Sequence, residues 1–167
     1  MVTKYLRHFA CLFLAFLGMI QSAAAEEPAE VKATWSWQEG KPASIANVHI
    51  EGNTGTVASD IDGIELFVDA TNGKLKSNGD NVQFNTGTII RVPVISSNDI
   101  VTVVAHPYNF NNISIGGKIY DTESTEYKAS AVDAANKYVE IISTESPYLY
   151  SISVVQKAPK SLATLVN

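Results

Sequence analysis

The sequence predicts an all-β protein, specifically a jelly-roll-like antiparallel β-sandwich with one short connecting helix. Three observations lead to this prediction. Short segments rich in β-branched residues alternate apolar and polar side chains with a period of two. Turn signals containing glycine or asparagine separate these segments at the regular spacing typical of a sandwich or barrel. Only one short segment, residues 130–136, has the composition of a helix.

The strand signals are strongest in the middle of the chain. In the segment 61–70, Ile64, Leu66 and Val68 share one face and more polar positions share the other, and the segment 88–94 alternates in the same way. Such alternation indicates half-buried strands. Further strands are predicted at 100–105, 118–120, 126–129, 138–142 and 148–155, and weaker ones at 34–37 and 47–50.

Two kinds of local signal divide these strands. The dipeptides at 72–73 and 78–79, both Asn-Gly, and the Gly-Gly at 116–117 predict tight hairpin turns, because a type I′ turn needs positive φ at both central positions. Ser130 with Asp133 three residues later resembles a capping box at the start of a helix. The predicted helix is one or two turns long and therefore connects strands.

The N-terminal segment predicts export. Lys4 and Arg7 precede twelve uncharged residues, 9–20, and the small residues at 23–25 suit cleavage after Ala25. The alternative is a membrane anchor, but a spanning helix needs about 20 apolar residues. The domain organisation that follows is a signal peptide at 1–25, a flexible lead-in at 26–33, a β-sandwich at 34–156 and a C-terminal tail or linker at 157–167. The mature protein is expected to be secreted or periplasmic.

Composition excludes several classes of function. Losing Lys4 and Arg7 with the signal leaves ten basic against seventeen acidic residues, a net charge of −7. Nucleic acid is therefore not an expected partner, since affinity for it comes mainly from neutralising phosphates. No membrane association is expected after cleavage either. Because Cys11 also leaves with the signal, no thiol remains for a disulfide or a thiolate–zinc site.

No motif supports catalysis. Nucleophile elbows, zinc-protease helices, phosphate loops and dinucleotide fingerprints are absent from the sequence. His49 is expected on the polar face of a strand, and His106 in a loop after a strand. The segment 60–63, Asp-Ile-Asp-Gly, has the first positions of a calcium loop without the later ligands, and a turn is the better interpretation. We expect no catalytic residues and no cofactor, and leave a structural calcium open.

Aromatic residues supply the only candidate ligand site. Trp35, Trp37 and Tyr150 are expected to fill the core, as large aromatics in sandwiches do. The loop after residue 105 is different, because it mixes aromatic rings and amides without the periodicity of a core. Aromatic rings pack against the C–H faces of sugars while amides bond the hydroxyls. The candidate ligand-binding residues are Tyr108, Asn109, Phe110, Asn111 and Asn112.

An ordered set of short motifs resembles a known family. These motifs are Thr-Trp-Ser-Trp at 34–37, Gly-Lys at 73–74, Phe-Asn-Thr-Gly-Thr at 84–88, Val-Pro-Val at 92–94, Tyr-Val-Glu-Ile at 138–141 and Tyr-Leu-Tyr-Ser-Ile at 148–152. Together they resemble the non-catalytic β-sandwich modules attached to secreted bacterial pectate lyases and pectinesterases of the Bacteroidetes type. One departure is Lys137, which precedes Tyr138 where the family is expected to have glycine.

The resemblance implies a role rather than a reaction. It implies a carbohydrate-binding-like module that meets pectin or a related plant polysaccharide, with a catalytic domain or enzyme as a further partner in the same system. Two alternatives stay open at this point. In the first alternative, the chain is the N-terminal part of a truncated pectate lyase or pectinesterase. In the second, it is a structural or interaction domain that binds no ligand.

Overall fold

The computed structural model describes residues 30–38, 43–106, 113–121 and 123–157. These residues form two antiparallel β-sheets packed face to face, so the predicted β-sandwich is confirmed. From residue 81 onward the chain crosses repeatedly from one sheet to the other, which is the connectivity of a jelly-roll-like sandwich.

The sheets contain seven and six strands. Sheet A is formed by β1 (Glu30–Ser36), β2 (His49–Glu51), β5 (Lys74–Asn78), β6 (Asn81–Phe84), β8 (Ile100–His106), β11 (Ser124–Lys128) and β13 (Tyr148–Lys157). Its order is β11-β8-β13-β6-β5-β2, and β1 also pairs with β13. Sheet B is formed by β3 (Thr54–Ala58), β4 (Glu65–Asp69), β7 (Ile89–Pro93), β9 (Ile113–Ile115), β10 (Lys118–Tyr120) and β12 (Tyr138–Ser143), in the order β10-β9-β12-β7-β4-β3.

The core lies between the sheets and follows from the period-two pattern. Val101 and Val103 of β8 and Ile90 and Val92 of β7 are buried, while their chain neighbours are partly exposed. The largest fully buried side chains include Trp35, Trp37 and Phe84, so the expectation that both tryptophans belong to the core is confirmed, whereas Tyr150 is only half-buried.

Hydrogen bonds join the two sheets within this core. The Trp35 indole N–H in β1 donates to the carbonyl of Val57 in β3 at 2.8 Å. The Ser143 hydroxyl in β12 donates to the carbonyl of Phe84 in β6 at 2.6 Å. Both polar groups are buried, so each bond removes the cost of leaving a donor unsatisfied. The relative position of the sheets is therefore fixed by directional bonds as well as by packing.

Most predicted strands are present, with shifted ends. The largest shift is in β1, which begins at Glu30, so residues 30–33 of the predicted flexible lead-in are paired with β13. Strands β3, β5 and β6 were not predicted, because the segments at 54–58 and 74–84 contain too few apolar residues for an alternating pattern. Cross-strand pairing, rather than local propensity, makes these segments strands.

The turn predictions had mixed outcomes. Gly116 and Gly117, with φ of 56° and 80°, form the predicted tight turn between β9 and β10. The β5–β6 hairpin turns at Gly79-Asp80, one residue later than predicted, and only Gly79 has positive φ. The prediction of a hairpin at 72–73 is wrong, because β4 and β5 belong to different sheets. Gly73 is needed there because a Cβ would collide with the Thr88 hydroxyl.

Two short helices connect strands. Helix α1 (Ala43–Ala46) is a single turn that the sequence did not predict. Helix α2 (Ala131–Asn136) is the predicted connecting helix, and its capping box between Ser130 and Asp133 is confirmed. The Tyr127 hydroxyl also donates to Asp133 at 2.8 Å. Helix α2 ends at Lys137, whose φ of 67° is left-handed, and the chain passes directly into β12. Lys137 therefore occupies a left-handed position at the end of the helix, where glycine has the lowest conformational cost.

Candidate functional site

The outward face of sheet B carries a group of three stacked side chains, here called the Arg91 platform: Phe67, Arg91 and Tyr138. Because side chains alternate along a strand, burying Leu66 and Val68 of β4 directs Phe67 outward. Burying Ile90 and Val92 of β7 directs Arg91 outward in the same way. The platform is therefore a direct result of the pattern that forms the core.

Cross-strand register brings the three side chains together. Phe67 of β4 pairs with Arg91 of β7, and Tyr138 of β12 pairs with Pro93, the next outward residue of β7. The guanidinium carbon of Arg91 lies 5.3 Å from the centre of the Phe67 ring and 5.1 Å from the centre of the Tyr138 ring. Both distances are within the range of attractive cation–π contacts.

A carboxylate fixes the arginine further. Glu140, opposite Arg91 on β12, accepts a hydrogen bond from Arg91 Nε at 3.0 Å. The Arg91 and Glu140 side chains are 31% and 34% exposed, so both are held against the sheet yet reachable. Among the described residues, no acceptor bonds the Nη groups of Arg91. These groups are therefore oriented donors at the surface.

A shallow groove surrounds the platform. The three platform residues, together with Glu65, Pro93 and Lys137, line a depression of about 310 Å³. Glu65, Phe67 and Pro93 also line a second depression of about 470 Å³, which extends to Thr56 and Gln156. The two depressions share these three residues, so they lie side by side on the open face of the sheet and are together called the groove. An open groove suits a segment of an extended polymer better than a small molecule, which is usually enclosed.

The charges around the groove are mixed. Arg91 and Lys137 contribute positive charge, whereas Glu65, Glu140 and Asp69 contribute negative charge on the same side of the sheet. Hydrogen bonds from the Thr71 hydroxyl and amide, followed by the charge of Arg91, lower the pKa of Asp69 below its ordinary value. Asp69 therefore stays ionised in mildly acidic solution. The groove lining has two cations and one carboxylate, but Glu140 pairs with Arg91 and Asp69 lies on the same face, so no large net positive charge favours a polyanion.

This arrangement has the chemistry of sugar recognition. Aromatic rings offer apolar surface with polar edges, and the guanidinium and carboxylates offer donors and acceptors at fixed positions beside them. Hydroxyl groups both donate and accept, so they can pair with either.

The structure tests only some of the residues that the sequence singled out. Tyr108, Asn109, Phe110, Asn111 and Asn112 are outside the described residues, so their role stays a prediction. The segment 60–63 forms the expected turn, in which Asp60 Oδ1 accepts a hydrogen bond from the Thr34 amide at 2.6 Å. His49 is exposed on β2 as expected. His106 is the last residue of β8 rather than a loop residue.

Sequence reasoning missed the Arg91 platform although part of its signal was visible. Phe67 and Arg91 stand at polar-face positions of two strong strands, where a large ring and a lone arginine are unusual. What the sequence did not show is that β4, β7 and β12 are neighbours, so that these residues meet Tyr138.

Two searches within the described part of the chain were negative. No group of three or more histidine, cysteine, aspartate or glutamate side chains in it is arranged to hold a metal ion. No helix among those residues is both long enough and apolar enough to span a bilayer.

Comparisons with known proteins add little. No protein-family model matches the chain, and no curated protein matches it. A solved structure described as "The complexity of the Ruminococcus flavefaciens cellulosome reflects an expansion in glycan recognition" aligns with it at 10% identity and a TM-score of 0.37. The alignment covers 78% of this chain and 97% of that one. So low a TM-score does not establish a shared fold, and the resemblance to pectate lyase modules gains no support.

Proposed function

We propose that this protein is an exported, non-catalytic carbohydrate-binding module that recognises plant polysaccharide, with pectin-like chains as the favoured ligand. The observation that carries the proposal is the Arg91 platform. It places two aromatic rings and an oriented guanidinium in an open groove on the face of a sheet. A catalytic enzyme acting on the same polymer is the proposed partner.

The platform is ordered before any ligand arrives, and this supports a binding role. Arg91 is held by two rings and by Glu140, so little side-chain freedom remains to be lost on binding. Binding to a preordered surface avoids about 0.5–1.5 kcal/mol for each side chain that would otherwise be immobilised. Preordered side chains increase the affinity of a binding site, whereas a surface with only a structural role has no need of them.

The charge of the groove indicates whether an ionised or an uncharged form of the ligand is preferred. Because Glu140 pairs with Arg91 and Glu65 lies in the same groove, little positive charge remains to attract a chain of ionised uronates. A methyl-esterified pectin has the same hydroxyls without that charge. We therefore propose that the platform prefers esterified pectin or a neutral polysaccharide to fully ionised polygalacturonate.

Calorimetry on the mature domain, residues 26–167, tests the proposal. The ligands are high-methyl pectin, polygalacturonate, xylan and galactomannan, each with and without calcium. Phe67→Ala and Tyr138→Ala should each weaken binding of the preferred polymer about tenfold, because an aromatic residue at the centre of an interface commonly contributes more than about 1 kcal/mol.

Tyr120→Ala provides a matched control. Tyr120 also contacts a cation, with Lys118 Nζ 5.2 Å from its ring centre, but it lies on edge strand β10 outside the groove. It should leave affinity unchanged. Equal losses in all three variants, or no binding of any polymer under any condition, would contradict the proposed function. Thermal unfolding of each variant separates lost binding from lost folding.

Export is the second part of the proposal. Expression of the full chain in a bacterium with a secretory pathway, followed by mass determination of the exported product, should show an N-terminus at Glu26. A product that keeps residues 1–25 and sediments with membranes would favour the anchor instead.

A further inference from the structure

The outward face of sheet A carries a different arrangement, a row of polar side chains across five strands. It is here called the sheet A row: His106, Tyr148, Gln83, Lys76 and His49. Each member pairs with the next in antiparallel register, from β8 through β13, β6 and β5 to β2. Four steps between neighbouring strands make the row about 19 Å long. The row is therefore long enough for several sugar units.

The row ends in a corner that is positively charged in an acidic protein. Lys74 lies two residues before Lys76 on β5, so both side chains share the outward face. No ion pair joins either lysine to a carboxylate in the part of the chain that the structure describes. By contrast, Arg91 on sheet B is paired with Glu140. The two ammonium groups therefore have their charge available for a ligand.

One acidic group belongs to this corner, Glu51, the register partner of Lys74. Its carboxylate accepts a hydrogen bond from His49 Nε2 at 3.1 Å, and that bond is the largest influence that lowers the Glu51 pKa. The charges of Lys74, His49 and Lys76 lower this pKa further. With two lysines against one glutamate already bonded to an imidazole, the corner stays net positive.

The corner also has shape. His49 and Lys76 line a surface depression of about 490 Å³ together with Asn47, Ser77 and Gly79. The exposed Asn47 amide can bond hydroxyl groups beside the ammonium group of Lys76, whereas the Ser77 hydroxyl already donates to the Ile45 carbonyl at 3.1 Å and can only accept. The Gln83 amide lies next to Lys76 in the row. Positive charge and amide groups that bond hydroxyls thus lie beside one another on this face.

We propose that the sheet A row is a second binding surface, which takes an anionic saccharide chain whose units carry carboxylates. The occupant follows from charge complementarity, because within the described ranges Lys74 and Lys76 form no ion pair although the protein has a net negative charge. Lysine binds carboxylates as a point charge and tolerates many geometries. This surface is independent of the Arg91 platform and goes beyond the proposed function.

Binding of polygalacturonate, the ionised chain, to the mature domain at low ionic strength tests the proposal. The double substitution Lys74→Gln with Lys76→Gln should weaken binding roughly fivefold, the combined effect of two exposed ion pairs. The matched control is Lys118→Gln with Lys128→Gln, which removes the same charge from strands β10 and β11 outside the row. The control should change the affinity by less than twofold.

Two further arms separate this proposal from its rivals. Phe67→Ala should leave polygalacturonate binding unchanged, because the platform is on the other sheet, so a failure of one site is distinguishable from a failure of the other. Poly-glutamate of matched charge should bind more weakly than polygalacturonate. Equal binding of the two polymers, equal losses in both lysine pairs, or no binding of polygalacturonate would each overturn the proposal.

Discussion

The two outward faces of this sandwich present cations in opposite ways. On sheet B, Arg91 is held between two rings and bonded to Glu140, and carboxylates surround it. On sheet A, Lys74 and Lys76 extend from an edge region without an ion pair among the described residues. The first face offers fixed geometry with little net charge, and the second offers charge with little fixed geometry. The basic residues of the two faces thus suit different kinds of recognition.

The difference follows from where the residues stand in the sheets. Strand β7 has neighbours on both sides, so Arg91 can be enclosed by side chains from β4 and β12. Strand β5 is next to β2, a three-residue edge strand that provides little cover. A strand with long neighbours on both sides favours a preordered site, whereas β5, beside a short edge strand, leaves its charged side chains less covered; charge near an edge also hinders pairing with other chains.

Exchanging the two kinds of cation should produce the largest effect. Arg91→Lys keeps the charge of the platform but loses the planar group that stacks on both rings and bonds Glu140. We expect platform binding to weaken about tenfold, equal to about 1.4 kcal/mol. The reciprocal change Lys76→Arg should alter polygalacturonate binding less than twofold. Calorimetry with both polymers checks this, and similar losses in both variants would remove the distinction between the faces.

The salt dependence of binding should give the second-largest difference between the two faces. Raising sodium chloride from 0.05 to 0.5 M shortens the distance over which charges act. Polygalacturonate binding to the sheet A row should therefore weaken severalfold, whereas binding of a neutral or esterified chain to the platform should change less than twofold. Affinity electrophoresis in both buffers measures this, and parallel salt dependence would contradict the assignment of charge to one face.

Removing the carboxylate that fixes Arg91 should reduce the difference between the two faces in their preference for anionic ligands. Glu140→Gln leaves an amide that can still accept from Arg91 Nε but no longer carries negative charge. We expect the platform to bind polygalacturonate two- to threefold better and the protein to lose less than about 1 kcal/mol of stability, as for a half-exposed ion pair. The affinity is best measured with Lys74 and Lys76 already replaced by Gln, so that only the platform responds. No gain there would mean that groove charge does not select the ligand.

Lys137 gives the smallest expected effect. Its φ of 67° is unfavourable for a residue with a Cβ, and glycine relieves this cost. Lys137→Gly should raise the free energy of unfolding by about 0.5–1 kcal/mol, measured by urea denaturation, and change platform binding only slightly. Destabilisation instead would indicate that the lysine side chain makes contacts that offset its backbone cost. Asn136→Gly, one residue earlier inside the helix, should destabilise and is the control.

The sequence predicted the layers of this fold better than its surfaces. Alternation in 61–70 and 88–94 identifies which side chains face the core, and Ser130 with Asp133 identifies the helix start, because these signals are local. The meeting of Phe67, Arg91 and Tyr138 depends on strand order, which is not local. The hairpin predicted from the Asn-Gly at 72–73 is wrong for the same reason. Its glycine is needed because the side chain of Thr88, fifteen residues later, leaves no room for a Cβ at residue 73.

The pairing of β1 with β13 has a practical consequence. Glu30 is the register partner of Lys157, and their side chains form an ion pair of 3.1 Å. Adjacent first and last strands allow circular permutation and insertion into a loop of another protein. A short linker between these two positions, with new ends opened at the exposed Gly79-Asp80 hairpin, should preserve the fold. The permuted domain could then be inserted into another protein without a chain break in the strands that carry the Arg91 platform.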